Sequence, residues 1–401
     1  MTGNVVALGE VARFVRGVTY KPTDLVANFS ANSLVCMRTA NIQVELDQSN
    51  LKSIPTSIVK AADKRLVAGD ILVSTANSWN LVGKCCWVPE LDYDAVPGGF
   101  IAALRADRSR VDPRYLYHWF NSPKIQDQAR NCGRQTTNIS NMDLTRCLAI
   151  SMPLPPLPEQ RRIATTLDKA DALRAKRREA IAKLDQLLQS VFLEMFGDPV
   201  TNPKGWPIAL VGDVFSGFIG GKNVECPESG SSPYRILKVS AVTKTVFLPG
   251  QSKVAPDGLV PDASHIVRRG DLLFSRANTT DLVAATAYVW DTPPNIVLPD
   301  KIWKLVIRDE TVLHPLFAWE LFKNAMFRYE LSKRSSGTSG SMKNIAKGKL
   351  VQVSMPLPPI DLQARFAGFS RKLHEQSHRL GFQQRKLDQI QSSIQFDAFA
   401  A

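Results

Sequence analysis

The hexapeptide SMPLPP occupies Ser151–Pro156 and returns unchanged at Ser354–Pro359, 203 positions later in a chain of 401 residues. Proline disfavours a helix interior and favours extended backbone, yet each copy precedes a long stretch with helical periodicity. Sliding the sequence along itself aligns far more than this motif. LGEV at Leu8–Val11 falls on VGDV at Val211–Val214, and GDILVSTAN at Gly69–Asn77 falls on GDLLFSRAN at Gly270–Asn278. Asp112–Phe120 follows the pattern of His314–Phe322, and Leu184-Asp185-Gln186 recurs as Leu387-Asp388-Gln389. Offsets stay between 200 and 203, so order and spacing together mark one unit used twice.

Each unit has a mixed part and a helical part. Gly-Asp before Ile71-Leu72-Val73, and again before Leu272-Leu273-Phe274, reads as a turn feeding a buried strand. Short helices are expected over Arg114–Phe120 and Leu316–Glu330. The prolines then predict an extended, polyproline-like lead-in to a long helix from Glu159 to about Phe196, repeated from Asp361 to about Phe396. The first helix sets Ile181, Leu184, Leu188, Val191 and Met195 at steps of three and four. The second sets Phe366, Phe369, Leu373, Leu380, Leu387, Ile390 and Ile394 on one heptad seam. Two such seams predict a coiled-coil-like antiparallel pair, each helix roughly 55 Å long. The expected fold class is α+β (mixed): two tandem α/β domains separated by a pair of long antiparallel helices, with a pseudo-twofold internal repeat. The expected boundaries are 1–150 and 198–353 for the globular domains, 151–197 and 354–396 for the helices, and 397–401 for a tail.

Hydrophobic residues make up 44% of the chain and charged residues 22%, the balance of an ordinary globular protein. The N-terminus lacks a basic segment followed by an apolar core, and no apolar run is long enough to span a bilayer. Six cysteines, including the neighbours Cys85 and Cys86, form no C-x-x-C pair, which fits a reducing cytoplasm. Fifty Lys and Arg against 37 Asp and Glu give a net charge of +13, favouring a polyanionic partner such as nucleic acid. Two similar globules on a rigid spacer suit the local twofold symmetry of duplex DNA.

Three motifs resemble catalytic signatures and fail on context. His374-Glu375-Gln376-Ser377-His378 spells the zinc-protease pattern H-E-x-x-H. With Leu373 and Leu380 on the seam, both histidines are expected on the outer helix face, and no third ligand is evident. Gly217–Lys222 is glycine-rich, but Asn223 stands where a phosphate loop needs Ser or Thr. DTPPNI at Asp291–Ile296 lacks the aromatic residue that would stack on a flipped base. No metal site and no chemistry are therefore expected in this chain.

Taken with the half-length repeat, SMPLPPLPEQRRIATTLDKADALRAKRREAIAKLDQLLQSVF from Ser151 and MFGDPVTNPKGWPIALVGDV from Met195 resemble the specificity subunit of type I restriction–modification systems. The resemblance covers essentially the whole chain. The second copy departs from it where Ile360-Asp361-Leu362-Gln363 replaces Leu157-Pro158-Glu159-Gln160. The resemblance implies a non-catalytic, cytoplasmic and nucleoid-associated subunit with two target recognition domains, each reading half of a split target in double-stranded DNA. It also implies docking of two methyltransferase subunits, with restriction subunits joining for cleavage. No cofactor is expected in this chain; S-adenosylmethionine, ATP and Mg2+ would belong to those partners. The DNA-recognition subunit of a related bifunctional restriction enzyme, or a helical scaffold binding proteins, are the alternatives.

Base reading needs Arg or Lys for guanine, Asn or Gln for adenine, and Ser or Thr for either. Polar residues after the strand motif supply these types: Thr75, Asn77, Ser78, Trp79 and Asn80 in the first copy, and Arg276, Asn278, Thr279 and Thr280 in the second. A second cluster precedes each hexapeptide: Arg130, Arg134, Gln135, Thr136, Thr137 and Asn138, then Lys333, Arg334, Ser336, Thr338 and Ser339. Arg38, Thr39 and Asn41 match Lys238 and Ser240 loosely, while Lys21 and Lys222 are candidate phosphate anchors. The run Arg174–Arg178 could face a DNA spacer, an acidic partner or solvent.

Overall fold

The computed structural model describes residues 4–135, 139–337 and 343–399, with side chains at 134 and 135 left aside. The chain divides into two units, Met1–Arg177 with Phe382–Ala401, and Arg178–Gly381. The division cuts through both long helices, Leu157–Phe196 and Ile360–Phe399, each 40 residues long. Each unit thus contains one globule and one half of each helix.

The hexapeptide is a tie as well as a lead-in. Ser151–Pro153 forms a strand antiparallel to Val5–Ala7, with Val6 opposite Met152. In the second unit Ser354–Pro356 pairs in the same way with Ile208–Leu210. A polyproline segment throughout would have left these backbone groups to solvent; here the first half of each hexapeptide closes its globule. The prolines that follow carry no N–H for a ladder, and the helix starts at Leu157 or Ile360. A glutamine fixes each start. The Gln160 side chain accepts from the Asp112 amide at 2.8 Å and donates to the carbonyls of Arg110 and Pro155. Gln363 repeats this with the His314 amide at 2.9 Å and the carbonyls of Val312 and Pro358. Both glutamines are buried. The divergence at Ile360–Leu362 therefore leaves the clamp intact.

In the first unit an antiparallel sheet runs in the order Ala12–Arg16, Ile101–Ala106, Ile71–Ser74, Cys85–Trp87. A second sheet orders Ser53–Pro55, Ser33–Met37, Ala95–Pro97, the last two strands parallel. The second unit repeats both topologies. Its sheets are Phe215–Gly220, Ile302–Ile307, Leu272–Ser275, Thr286–Tyr288, and Ser252–Val254, Arg235–Leu237, Ile296–Val297, again with one parallel pair. The strands after Gly-Asp, Ile71–Ser74 and Leu272–Ser275, are buried at every position, which explains a continuous apolar run rather than alternation. Gly69 and Gly270 turn the chain at φ +96° and +94°, a region costly for other residues. The aspartates that follow anchor the sheets: Asp70 receives two bonds from Arg105, at 2.8 and 2.7 Å, and Asp271 pairs with Lys304 at 2.9 Å.

The helix halves belong to these cores. In the first unit Ile163, Ala164, Leu167 and Phe399 pack with Tyr115, Leu116, Trp119 and Phe120 of the helix Pro113–Phe120, which Asp112 caps. In the second unit Phe192, Phe196, Phe317 and Phe366 form one aromatic cluster. Leu188 and Leu373 are buried beside it, while Leu184, Val191, Met195 and Phe369 pack on its margin.

Two expectations about the helices are corrected. The heptad seam does not continue through Ile390, which is 57% exposed, because its neighbour Gln391 faces inward instead. In the first unit Arg174 lies 2.8 Å from Asp388 and donates to Gln391, which donates to Asp171 at 3.0 Å. This polar bridge joins the two antiparallel helix halves where an apolar seam was expected, and it uses Arg174 from the basic run. His374 is not on an outer face: its ring stacks on Trp290 at 3.8 Å with planes 7° apart. Trp290, two residues past the strand Thr286–Tyr288, lies flat against it and half-buries it. His378 is exposed. Among the described residues no group of three His, Cys, Asp or Glu could hold a metal, and no helix is long and apolar enough to cross a membrane.

Candidate nucleic-acid interface

In the first unit a small sheet gathers the two polar clusters that lie far apart in sequence. Ala76–Asn77 pairs with Ser140–Met142, which pairs in turn with Gly133–Gln135. Arg134 stands opposite Asn141, and Asn141 opposite Ala76. The second unit builds the same platform from Ala277–Asn278 and Lys343–Asn344, with Ser336 bridged to Asn344. Beside the first platform lies a hollow of about 560 Å³, lined among others by Arg16, Thr19, Thr75, Phe100, Asn141 and Asp143. Arg, Thr and Asn around one concave surface are the types that hydrogen-bond base edges and phosphates.

Of the residues singled out in the first copy, Thr75 lines this hollow, its amide held by the Phe100 carbonyl at 2.9 Å. Ser78 and Asn80 are exposed and Trp79 is half-buried. Asn77 is engaged locally: it donates to Ser74 Oγ and accepts from the Ser78 amide. Arg130 pairs with Asp127 one turn back. Arg134 and Gln135 lie in the edge strand, while Thr136, Thr137 and Asn138 fall outside the described residues. Lys21 is exposed. Arg38 donates to the Asn50 carbonyl at 2.8 Å, and Thr39 is half-buried.

Asn41 is a correction. It is 1% exposed, accepting from the Arg38 amide and donating to the Asp47 carbonyl. A short loop with few other partners needs that amide to satisfy its own backbone, so Asn41 has no free edge for a ligand.

In the second copy Arg276 spans the platform, donating to the Asp300 carbonyl at 2.7 Å and to Asn344 Oδ1 at 2.9 Å above the Trp303 ring. Asn278 repeats the local role of Asn77, with Ser275 Oγ and the Thr279 amide as partners. Identical use in both units makes these asparagines turn formers. Thr279 and Thr280 are exposed. Lys333 pairs with Glu330 at 2.7 Å over the Tyr329 ring, and Arg334 and Ser336 are exposed. Lys222, Lys238 and Ser240 are exposed, Ser240 donating to Gln251. Thr338 and Ser339 fall outside the described residues.

Residue-type reasoning missed Arg16, Thr19, Phe100, Asn141 and Asp143, which come from three further segments. Only Asn141 carries a sequence signal, since Asn141-Met142 falls on Asn344-Ile345 at the repeat's offset of 203.

Burial pushes the thiols of Cys36, Cys86 and Cys147 up to about 11, 12 and 12, so they remain protonated. Away from the platform, burial raises the Asp168 carboxyl but is outweighed by hydrogen bonds from His118 and Arg114 and by their charges, leaving it at about 2. Arg114 Nε donates to it at 2.9 Å. This cluster holds the globule to its helix half.

Residues 4–183 match the family model for the type I restriction modification DNA specificity domain. The chain is 23% identical over 378 residues to the type I restriction enzyme EcoKI specificity subunit of Escherichia coli (strain K12), covering 90% of this chain and 79% of that one. It is 28% identical over 180 residues to the StySPI specificity subunit of Salmonella potsdam, a stretch spanning 45% of this chain and 38% of its relative. Among solved structures, the type I restriction-modification S subunit from M. genitalium superposes with a TM-score of 0.58 at 13% identity, covering 99% and 96% of the two chains. That likeness shows the fold.

Proposed function

We propose that this chain acts as a specificity subunit of a type I restriction–modification system, a reading supported by the DNA specificity domain matched over residues 4–183 and by the similarity to the EcoKI subunit. Each unit's platform reads one half of a bipartite target in double-stranded DNA, and the long helices set the spacing between the half-sites. The helices also dock two methyltransferase subunits, through which restriction subunits join the complex. S-adenosylmethionine, ATP and Mg2+ act in those partners, and this chain carries no catalytic group. Its place of action is the cytoplasm, on the nucleoid.

One observation carries the reading. Both units build the same platform on the same topology, yet the residues it presents differ: Thr75 stands where the second unit has Arg276, and Trp79 where it has Thr280. A shared scaffold with divergent polar side chains is what two readers of different half-sites need. The exposed candidates Lys21, Ser78, Asn80, Lys222, Lys238, Thr279 and Arg334 are assigned to phosphate and groove contact.

The test is binding of the assembled methyltransferase complex to a duplex carrying the methylated target. Affinity should fall steeply with salt and should fall again when either half-site alone is scrambled. Binding that ignores both half-sites would contradict the proposal.

A further inference from the structure

We propose that Phe100 is the apolar base contact of the first recognition domain, reading the C5-methyl group of a thymine, and that this is a point where the two half-site specificities diverge. The inference rests on the DNA-reading role proposed above.

Phe100 is 67% exposed. It sits on the turn between Ala95–Pro97 and Ile101–Ala106, its ring lining the hollow that holds Arg16, Thr19, Thr75 and Asn141. An exposed ring of this size is apolar surface left in water. Phe29 is similarly exposed, at 64%, but leans on Tyr93 at 5.4 Å. Among the described ring contacts Phe100 makes none.

Its backbone is held firmly. The Phe100 carbonyl accepts from the amides of Thr75 and Ala76 at 2.9 and 3.1 Å. The preceding glycines press on their neighbours: a Cβ at Gly98 would stand 2.7 Å from the Met37 carbonyl oxygen, and one at Gly99 would stand 3.1 Å from Thr19 Oγ1. A rigid turn presenting an apolar ring limits the conformational entropy lost on contact.

The matched turn in the second unit is anchored in the same way, with the Lys301 carbonyl accepting from the Arg276 amide at 3.1 Å. Lys301 occupies the place of Phe100. One scaffold thus offers an apolar ring in the first unit and a cation in the second. In the major groove the thymine methyl is the apolar feature, whereas lysine suits guanine or phosphate.

Replacing thymine by deoxyuridine removes that methyl and keeps the base pair, so the test uses the assembled complex with duplexes substituted at one thymine at a time. At one position in the first half-site the wild type should lose about 4-fold in affinity, the worth of one buried methyl. Phe100→Ala should bind the thymine duplex about 10-fold more weakly and show no response to uracil there, the two changes failing to add. Phe100→Leu should fall between them, and Lys301→Ala should alter only the second half-site. A first half-site without thymine, a wild type indifferent to uracil at every thymine, or equal uracil penalties in wild type and Phe100→Ala would overturn the inference while leaving DNA reading intact. A wild-type complex that does not distinguish target from scrambled duplex would overturn both.

Discussion

Phe366 joins a long helix to the globule of the second unit. Its ring is fully buried and meets Phe192 and Phe196 edge-on, each at 5.5 Å. Truncating such a residue to Ala removes its burial and leaves a cavity, costing about 3–5 kcal/mol, of which each aromatic pair supplies about 0.5–1.5 kcal/mol. With a urea slope near 2 kcal/mol/M, the midpoint for this unit should drop by about 1.5–2.5 M. Phe366→Leu, which keeps most of the apolar volume, should lose only about 1.5 kcal/mol. Ile390 is the control: a seam residue by heptad counting, but exposed in the structure, so Ile390→Ala should stay within about 0.5 kcal/mol of wild type. Urea titrations followed by tryptophan fluorescence measure all three. Equal losses for Phe366→Ala and Ile390→Ala would refute the packing and restore a continuous heptad seam.

Three further perturbations address the remaining contacts. Asp168, with a folded pKa of about 2 against an ordinary carboxylate near 3.9 when unfolded, stabilises the first unit fully above about pH 4. That contribution fades as pH falls through 2; discounted for partial exposure, it is about 1 kcal/mol, and Asp168→Asn should remove it from pH-dependent melting curves. His374 is pushed down to about 4 by burial and then by the charge of His378. The unfolded chain therefore binds the extra proton first, so stability should fall as pH drops from about 6.5 to about 4 and level off below; His374→Phe should abolish that slope in acid titrations. Gln363→Leu leaves the His314 amide and two carbonyls without their partner and should cost about 2–3 kcal/mol in denaturant unfolding, as should Gln160→Leu in the other unit.

Much of this architecture was legible because duplication writes the same constraint twice. The Gly-Asp turns, the buried strands and the helix starts recur at nearly constant offset, and each is enforced by a local demand: a left-handed glycine, an aspartate anchoring a basic side chain, an apolar run closed on both faces. A two-helix seam does not reveal Phe192 and Phe196, because they face a third element, the helix Pro315–Lys323. Asn77, Asn278 and Asn41 have the chemistry of base readers, but residue type does not reveal whether an amide is already occupied by its own turn. Phe100, Arg16 and Asn141 come together only through long-range strand pairing, Asn141 with Ala76 and Arg16 with Ala102, which no spacing rule encodes.

The central claim is that each globule reads its own half of one split target. Methylated bases should be mapped across a host genome carrying the methyltransferase subunits, first with this chain and then with residues 1–150 exchanged for those of another specificity subunit. The account predicts a single bipartite motif, of which the exchange alters one half and leaves the other half unchanged. An exchange that altered both halves, or a methylation pattern independent of this chain, would contradict it.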